Sequence, residues 1–599
     1  MRTSIATVSV SGTLTEKLNA VARAGFDGVE IFENDLLASP LTPEQIRARA
    51  ADLGLELFLY QPMRDVEGLS ADAFARSMRR AEHKFCVMRR LGADTVLACS
   101  NVSAHTRDDD ALAAAQLREL AELADEYGIR VAYEALAWGR HVNTYDHAWR
   151  IVEAADHPAL GVCLDSFHVL ARGGDPAGFA ALPGEKIFFV QLADAPLMGM
   201  DVLQWSRHYR CFPGQGDFDL AEFVRSVVRT GYDGPLSLEV FNDVFRQADS
   251  GRTAIDARRS LTALQEAAGV LELPAAAAPT GIAFAELVTM DTEPVALLLQ
   301  ALGFSRTGKH LSKPVDLWEQ GAARVLVNTE PATGGSGPRL AALGIESPDP
   351  GAAAKRAESL GAPVLPRRRA RTDVLLETVA APDGTELFFC ASGRHDLPDW
   401  LDDFARLADP SSRSGPITGV DHVALTQPWH QYDEALLFYR SVIGLQPHGG
   451  VDVPDPYGLR RSRAVSNQDE SVRIALSIDP APGASHRASQ HIALATDDIV
   501  GAARWVGGTG HVLPVPDNYY DDLAARHVFG PGELRTYREL CILYDCDERG
   551  QFRHFYTTTI GDVFFEVVQR DNDYAGFGEQ SAHVRLTTQH AQHGSRRCH

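Results

Sequence analysis

VAYEALAWGRHVNTYDHAWRIVEAADHPALGVCLDSFHVL, residues 131–170, carries the pattern that decides the fold of the first part of the chain. One apolar run ends in Glu134, an amphipathic stretch follows, and a second apolar run ends in Asp165. Runs that are apolar along their length suit strands buried on both faces, and a helix between two of them suits a parallel βαβ crossover. Outward from this segment the unit recurs. Strand candidates are SIATVSV around Ile5, GVEIF (28–32), LELFLY (55–60), DTVLACS (94–100), IRVAYEA (129–135), GVCLD (161–165), KIFFVQL (186–192) and PLSLEV (235–240). Helical stretches such as DLAEFVRSVVRTGYDG lie between them, with glycines placed as C-caps. Eight βα units predict an α/β fold, a (β/α)8 TIM barrel, over residues 1–270.

The active site of such a barrel lies at the carboxyl-terminal strand ends. Those ends carry Glu134, Asp165, Gln191 and Glu239, and strand 2 adds Glu30. Carboxylates gathered at one point repel unless a cation neutralises them, so the pattern predicts a metal. All-oxygen ligation favours Mg2+ or Mn2+, with Co2+ as a further option, over a thiolate-type metal.

The same run, with FFVQLADAP and LSLEVFND after it, resembles the sugar-phosphate isomerase/epimerase-like barrels related to xylose isomerase. With YQPMRDVEG around Arg64 and WSRHYRCFPGQGDFD around Arg210 it more closely resembles bacterial 3-dehydroshikimate dehydratases of quinate and shikimate catabolism, in their fused two-domain form. This resemblance implies Glu134, Asp165, Gln191 and Glu239 as metal ligands. It places His168, Ser206, Arg210 and Arg64 in the substrate pocket. The implied reaction is loss of water from 3-dehydroshikimate to give protocatechuate. A divalent ion would stabilise the enolate, with Glu134 in the catalytic set and His168 as base and later acid. Arg210 and Arg64 would grip the substrate carboxylate through a bidentate fork. One departure concerns the base: some members carry a His two residues after the first Glu ligand, where this chain has Leu136. A sugar isomerase or epimerase is the alternative reading of the barrel.

LELPAAAAPTG begins at Leu271, and the Ala/Pro-rich residues 271–280 read as a linker. Beyond it two pairs of segments repeat: those starting at Gly281 and Gly419, and those starting at Ala341 and His491. Four βαβββ modules in two halves, 281–400 and 415–582, make an α+β domain. GVDHVAL supplies His422, SQHIALATDD supplies His491 and GDVFFEVVQR supplies Glu566, a two-histidine, one-carboxylate facial triad suited to Fe2+. The corresponding places of the first half hold Phe284 and Ala342, so that half is degenerate. HIALATDDI, DNYYDDL and FFEVVQR resemble 4-hydroxyphenylpyruvate dioxygenase of the vicinal-oxygen-chelate fold. The resemblance implies a second divalent metal, Fe2+ or Mg2+. It fails where that family holds its substrate: a Gln-Ile-Phe segment reads His554–Phe555–Tyr556, and a final Gly-rich loop reads GFGEQS (576–581). Three readings stand for this half: an active dioxygenase, a dioxygenase acting on another substrate, and a module retained for stability or for assembly of a homo-oligomer. The tail, residues 583–599, is expected to be disordered.

Among 599 residues, 45% hydrophobic and 23% charged, no apolar run reaches the roughly 20 residues of a membrane span. The early residues lack a signal peptide's apolar core and cleavage site, so the cytoplasm is expected. The formal charge of −23 argues against nucleic-acid partners and leaves a small-molecule substrate. Eight cysteines without a CxxC pair predict reduced thiols.

Overall fold

Eight parallel strands close into a barrel: β1 Thr3–Ala6, β2 Gly28–Phe32, β3 Glu56–Met63, β4 Thr95–Cys99, β5 Arg130–Glu134, β6 Leu160–Asp165, β7 Ile187–Leu192 and β8 Leu236–Leu238. The computed structural model describes residues 1–330, 337–366, 369–394, 396–407, 415–456, 458–478 and 489–597. The chain divides into two units, Met1–Leu273 and Pro274–His599.

In the barrel the strands are apolar because both faces are covered, and every residue of β4, β6 and β7 is buried. The surrounding helices start where the sequence supplies caps. Thr13 and Thr42 each open a capping box, accepting from the amide three residues on while Glu16 or Gln45 bonds back. Helix Leu220–Arg229 buries Leu220, Phe223, Val224 and Val227. That i, i+3, i+4, i+7 stripe faces the sheet, and each side chain contributes about 1.5–3 kcal/mol.

The second unit contains two eight-stranded sheets. The first is built of β9 Gly281–Val288, β10 Ser305–His310, β11 Val315–Gln320, β12 Ala323–Asn328, β13 Arg339–Glu346, β14 Thr378–Ala380, β15 Glu386–Cys390 and β16 Phe404–Arg406. The second is built of β17 Gly419–Gln427, β18 Gln446–Asp455, β19 Gly458–Ser466, β20 Arg473–Ile478, β21 Gln490–Ala495, β22 Leu543–Cys546, β23 Gly550–Tyr556 and β24 Val563–Asn572. Each sheet joins two modules through a central antiparallel pair, β9 with β13 and β17 with β21. The fold is the expected barrel followed by a vicinal-oxygen-chelate domain.

Two expectations need correction. The second module is βαββ, not βαβββ, because β16 leaves it and pairs with β10 at the far edge of the sheet. The tail is not disordered: a helix runs over Glu579–Arg597, and only Cys598 and His599 lie outside the described residues. Ala582, Arg585, Leu586 and Gln589 form its inward stripe, and Leu586 and Gln589 are buried. No disulfide joins the described cysteines, and no helix among the described residues is long and apolar enough to cross a membrane.

Candidate metal centres

Glu134 ends β5, Asp165 ends β6, Gln191 is the penultimate residue of β7, and Glu239 follows β8. All four are buried. Each is aimed by a local device. Asp165 is the N-cap of helix Ser166–Leu170: Oδ1 accepts the Phe167 and His168 amides at 2.7 and 3.2 Å, which leaves Oδ2 facing inward. The Gln191 amide nitrogen donates to Glu30 Oε2 at 2.6 Å, so its oxygen is the end offered to a ligand. Glu30 also accepts from Gln61 and Ser237, which makes it the support beneath Gln191. Glu134 Oε2 accepts from the Cys99 thiol at 3.3 Å, whereas Oε1 is buried without a donor.

Arg210 stands among these oxygens. Nη1 lies 2.8 Å from Asp165 Oδ2 and 3.2 Å from Glu239 Oε2, and Nε and Nη2 donate to Ser206 Oγ at 3.1 and 2.8 Å. Phe167 and Phe241 flank the guanidinium at 4.5 and 5.4 Å, and it is 1% exposed. Its donors are thus committed to the protein, unlike the carboxylate grip expected from sequence. Arg64, an exposed residue, also lines this pocket, whose volume is about 320 Å3.

Burial pushes the carboxyl groups of Glu134 and Glu30 well above their ordinary range, and Glu239 up to about 7 despite Arg210 beside it. Burial opposes the charge of Asp165 too, but Arg210 and the His168 backbone amide hold its pKa below the usual value. Buried oxygens that resist ionisation next to an oxygen without a donor fit a divalent cation, for which Arg210 is the local stand-in charge.

His168 Nε2 lies 3.8 Å from both Glu134 Oε1 and Asp165 Oδ2. Two N–H groups point at its ring, the Ala137 amide at Nδ1 (3.1 Å) and Arg210 Nη2 at Nε2 (3.2 Å). Burial above all, with the charges of Arg210 and Arg64, pushes its pKa down to about 3. The imidazole is neutral and has one lone pair, so only one of those contacts is a hydrogen bond at a time. The tautomer that accepts from Ala137 carries its proton on Nε2; the other places the lone pair on Nε2, where it accepts from Arg210 and can act as a base only once that contact opens. Sequence reasoning passed over Phe241 and Trp138, whose ring centroid lies 5.0 Å from that of His168. An aromatic just beyond a ligand-bearing strand end was the available signal. The barrel's opposite mouth has a larger cavity, about 620 Å3, with no ligating cluster among its described residues.

The second centre lies on three adjacent strands. His422 Nε2 and His491 Nε2 are 3.3 and 3.1 Å from Glu566 Oε2 and 3.3 Å from each other. Behind His422, Asp421 Oδ1 is 2.7 Å from Nδ1, and Arg570 grips the Asp421 carboxylate at 2.7 and 2.9 Å. Arg570 also donates to the carbonyls of Tyr574 and Gly576, tying down the loop that carries Phe577. Behind Glu566, His554 Nδ1 bonds Oε1 and His554 Nε2 meets Ser581 Oγ at 3.0 Å. His554, the departure seen in sequence, therefore supports Glu566. Burial acts against the Glu566 charge, yet the surrounding histidines hold its pKa far below the ordinary value. Burial pushes His491 down to about 4, while Asp421 and Glu566 outweigh burial at His422 and raise it. A charged carboxylate held by His554, facing His491 and a His422 imidazole held by Asp421, fits a divalent metal.

Comparison with known proteins bears on both centres. The xylose isomerase-like TIM barrel family matches residues 18–265, the amino-terminal hydroxyphenylpyruvate dioxygenase family 275–395, and the glyoxalase/bleomycin resistance protein/dioxygenase superfamily 419–536. A 3-dehydroshikimate dehydratase of Pseudomonas putida is 44% identical, with 98% of each chain covered. The chain belongs to the 3-dehydroshikimate dehydratase family. A second dehydratase, from Pseudomonas aeruginosa, is 45% identical over 100% of both chains. The solved structure of a xylose isomerase-like TIM barrel/4-hydroxyphenylpyruvate dioxygenase fusion protein superimposes with a TM-score of 0.90 at 42% identity, covering 99% of each chain. The dehydratase relatives thus share both units, and a divalent metal suits both centres.

Proposed function

We propose that the barrel converts 3-dehydroshikimate to protocatechuate by loss of water, as a hydro-lyase in the breakdown of quinate and shikimate in the cytoplasm. One observation carries this reading: His168 Nε2 stands 3.8 Å from two of the four converging polar groups, inside a pocket of about 320 Å3, the size of a small substrate. A divalent cation held by Glu134, Asp165, Gln191 and Glu239, with Mg2+, Mn2+ or Co2+ the ions that suit this donor set, supplies Lewis acidity for the substrate's ketone and its enolate. The chain's residues supply the rest. His168, kept neutral, takes the proton beside the ketone at Nε2 and returns it to the departing hydroxyl. Arg64 meets the substrate carboxylate at the rim. Arg210 holds Asp165, Glu239 and Ser206 in place and sets the charge of the pocket.

The test is direct. Protein reconstituted with each of the three ions is incubated with 3-dehydroshikimate while the ultraviolet absorbance of protocatechuate is followed. Absence of product with every ion overturns the reading, and turnover of a phosphorylated sugar in its place establishes the isomerase alternative.

For the second unit we propose a divalent-metal centre of His422, His491 and Glu566, with Fe2+ or Mg2+ as the ion. The cavity beside it is only about 70 Å3, with Arg585 and Leu586 of the last helix among its walls. That crowding and the use of His554 as a support weigh against turnover of 4-hydroxyphenylpyruvate. Oxygen uptake on adding that compound to the Fe2+-loaded protein would restore the dioxygenase reading.

A further inference from the structure

The first half of the second unit lacks the triad but keeps a cleft, and the strand registers show what replaced the ligands. In the second half Ala493 lies between His422 and Glu566, and His491 lies between Ala424 and Phe564. In the first half Gly344 lies between Phe284 and Phe388, and Ala342 lies between Glu286 and Glu386. Phe284, Ala342 and Phe388 therefore occupy the places of His422, His491 and Glu566. Two carboxylates, Glu286 and Glu386, occupy the places of Ala424 and Phe564.

The result is an aromatic floor with polar ends. Phe284 lies 5.6 Å from Phe388 and 4.9 Å from Trp400, centroid to centroid. Gly344 permits this, since a Cβ there would come within 2.6 Å of the Phe284 ring. The cavity above measures about 570 Å3. Glu286, on β9, accepts from Asn328 at 2.7 Å, and Glu386 lies on β15. His310, at the end of β10, and Lys313 and Arg369 line the same cavity. His310 Nδ1 accepts the amides of Ser312 and Lys313, so the neutral ring carries its proton on Nε2. The nearest ion-pair partner of Nε2, Asp403 Oδ2, is 3.9 Å away, beyond hydrogen-bond reach, and the side chain is 7% exposed. Lys313 Nζ and Arg369 Nη1 both lie beside Asp373, at 3.6 Å from Oδ2 and 3.2 Å from its carbonyl oxygen.

We propose that this cleft binds a hydroxylated aromatic acid. The ring stacks on Phe284, Phe388 and Trp400, the carboxylate meets His310, Lys313 and Arg369, and the ring hydroxyls donate to Glu286 and Glu386. The barrel's product has this form, a link that rests on the dehydratase reading; the site itself does not.

The full-length protein is titrated with protocatechuate, 4-hydroxybenzoate and benzoate, following quenching of Trp400 fluorescence with Trp400→Phe as the blank. 4-Hydroxybenzoate lacks a vicinal diol, so its signal excludes chelation at the triad. Saturable quenching by both hydroxylated acids is expected, with benzoate at least 10-fold weaker. Lys313→Ala should weaken binding about 10-fold and Ala342→Phe should abolish it, with dehydratase turnover unchanged. Quenching that is absent, or equal in Lys313→Ala and the parent, overturns the site. If the acids bind but the barrel forms no protocatechuate, the site stands and only its link to the barrel falls.

Discussion

Arg210 and Asp165 meet at 2.8 Å, Nη1 to Oδ2, where four barrel strands deliver their oxygens. The same Asp165 caps a helix through its other oxygen. Removing one partner of a buried charge pair costs about 3–5 kcal/mol because the other is left uncompensated. Arg210→Ala should therefore lower the stability of the metal-free protein by about 3 kcal/mol. Saturating divalent metal should restore most of that loss, since the ion neutralises the same carboxylates. Urea unfolding with and without metal measures both effects, and a loss that metal leaves untouched contradicts the stand-in role of Arg210.

His168→Ala should reduce kcat by about 10²–10⁴-fold with KM changed far less, because proton transfer rather than binding is lost. Steady-state rates of protocatechuate formation give the split. Near-normal kcat would remove His168 from the proton chemistry.

Glu67 supplies a pH prediction away from the metal. It accepts the Asn101 amide at 2.7 Å and the Tyr133 hydroxyl at 3.1 Å, its second oxygen has no donor, and burial pushes its carboxyl up to about 7 from 4.5. Between those values the folded state holds a proton that the unfolded chain has released. Stability contributed by this group is thus full below about 4.5 and falls, by up to about 1.4 kcal/mol per pH unit, as pH rises to about 7. Glu67→Gln should remove that slope, so the variant gains on the parent between pH 5 and pH 7.5 in matched urea titrations. Parallel curves for the two proteins would show that Glu67 titrates as an ordinary carboxylate.

Asp421→Ala should weaken metal binding at the second centre about 10–100-fold by releasing His422 from its support. Glu566→Ala should abolish it. Metal analysis after dialysis should find one centre loaded in place of two, with dehydratase turnover retained. A fall in turnover that tracks the lost metal would mean that the barrel depends on the second centre.

The sequence made the barrel and its convergent polar strand ends readable because both are local signals. Apolar runs mark strands covered on both faces, and the residue closing each run is placed at the mouth by geometry alone. Asp165 needed no more than that. What Arg210 does was not readable, because its partners are 45 and 29 residues away and nothing in the chain's order distinguishes a guanidinium that grips substrate from one that grips ligands. Phe284 and Ala342 could be matched by repeat, whereas Phe388 needed the strand register. The tail misled because its inward stripe includes Arg585 and Gln589, polar side chains that a hydrophobic pattern ignores.

That last helix begins beside Ser581, which bonds His554, which in turn holds Glu566. A purification tag fused after His599, or trimming of the final twenty or so residues for convenience, would disturb an element joined to Glu566 through two hydrogen bonds. Preparations handled at that end would under-report the metal binding proposed for the second centre, and so give a false negative in the very assay that tests it.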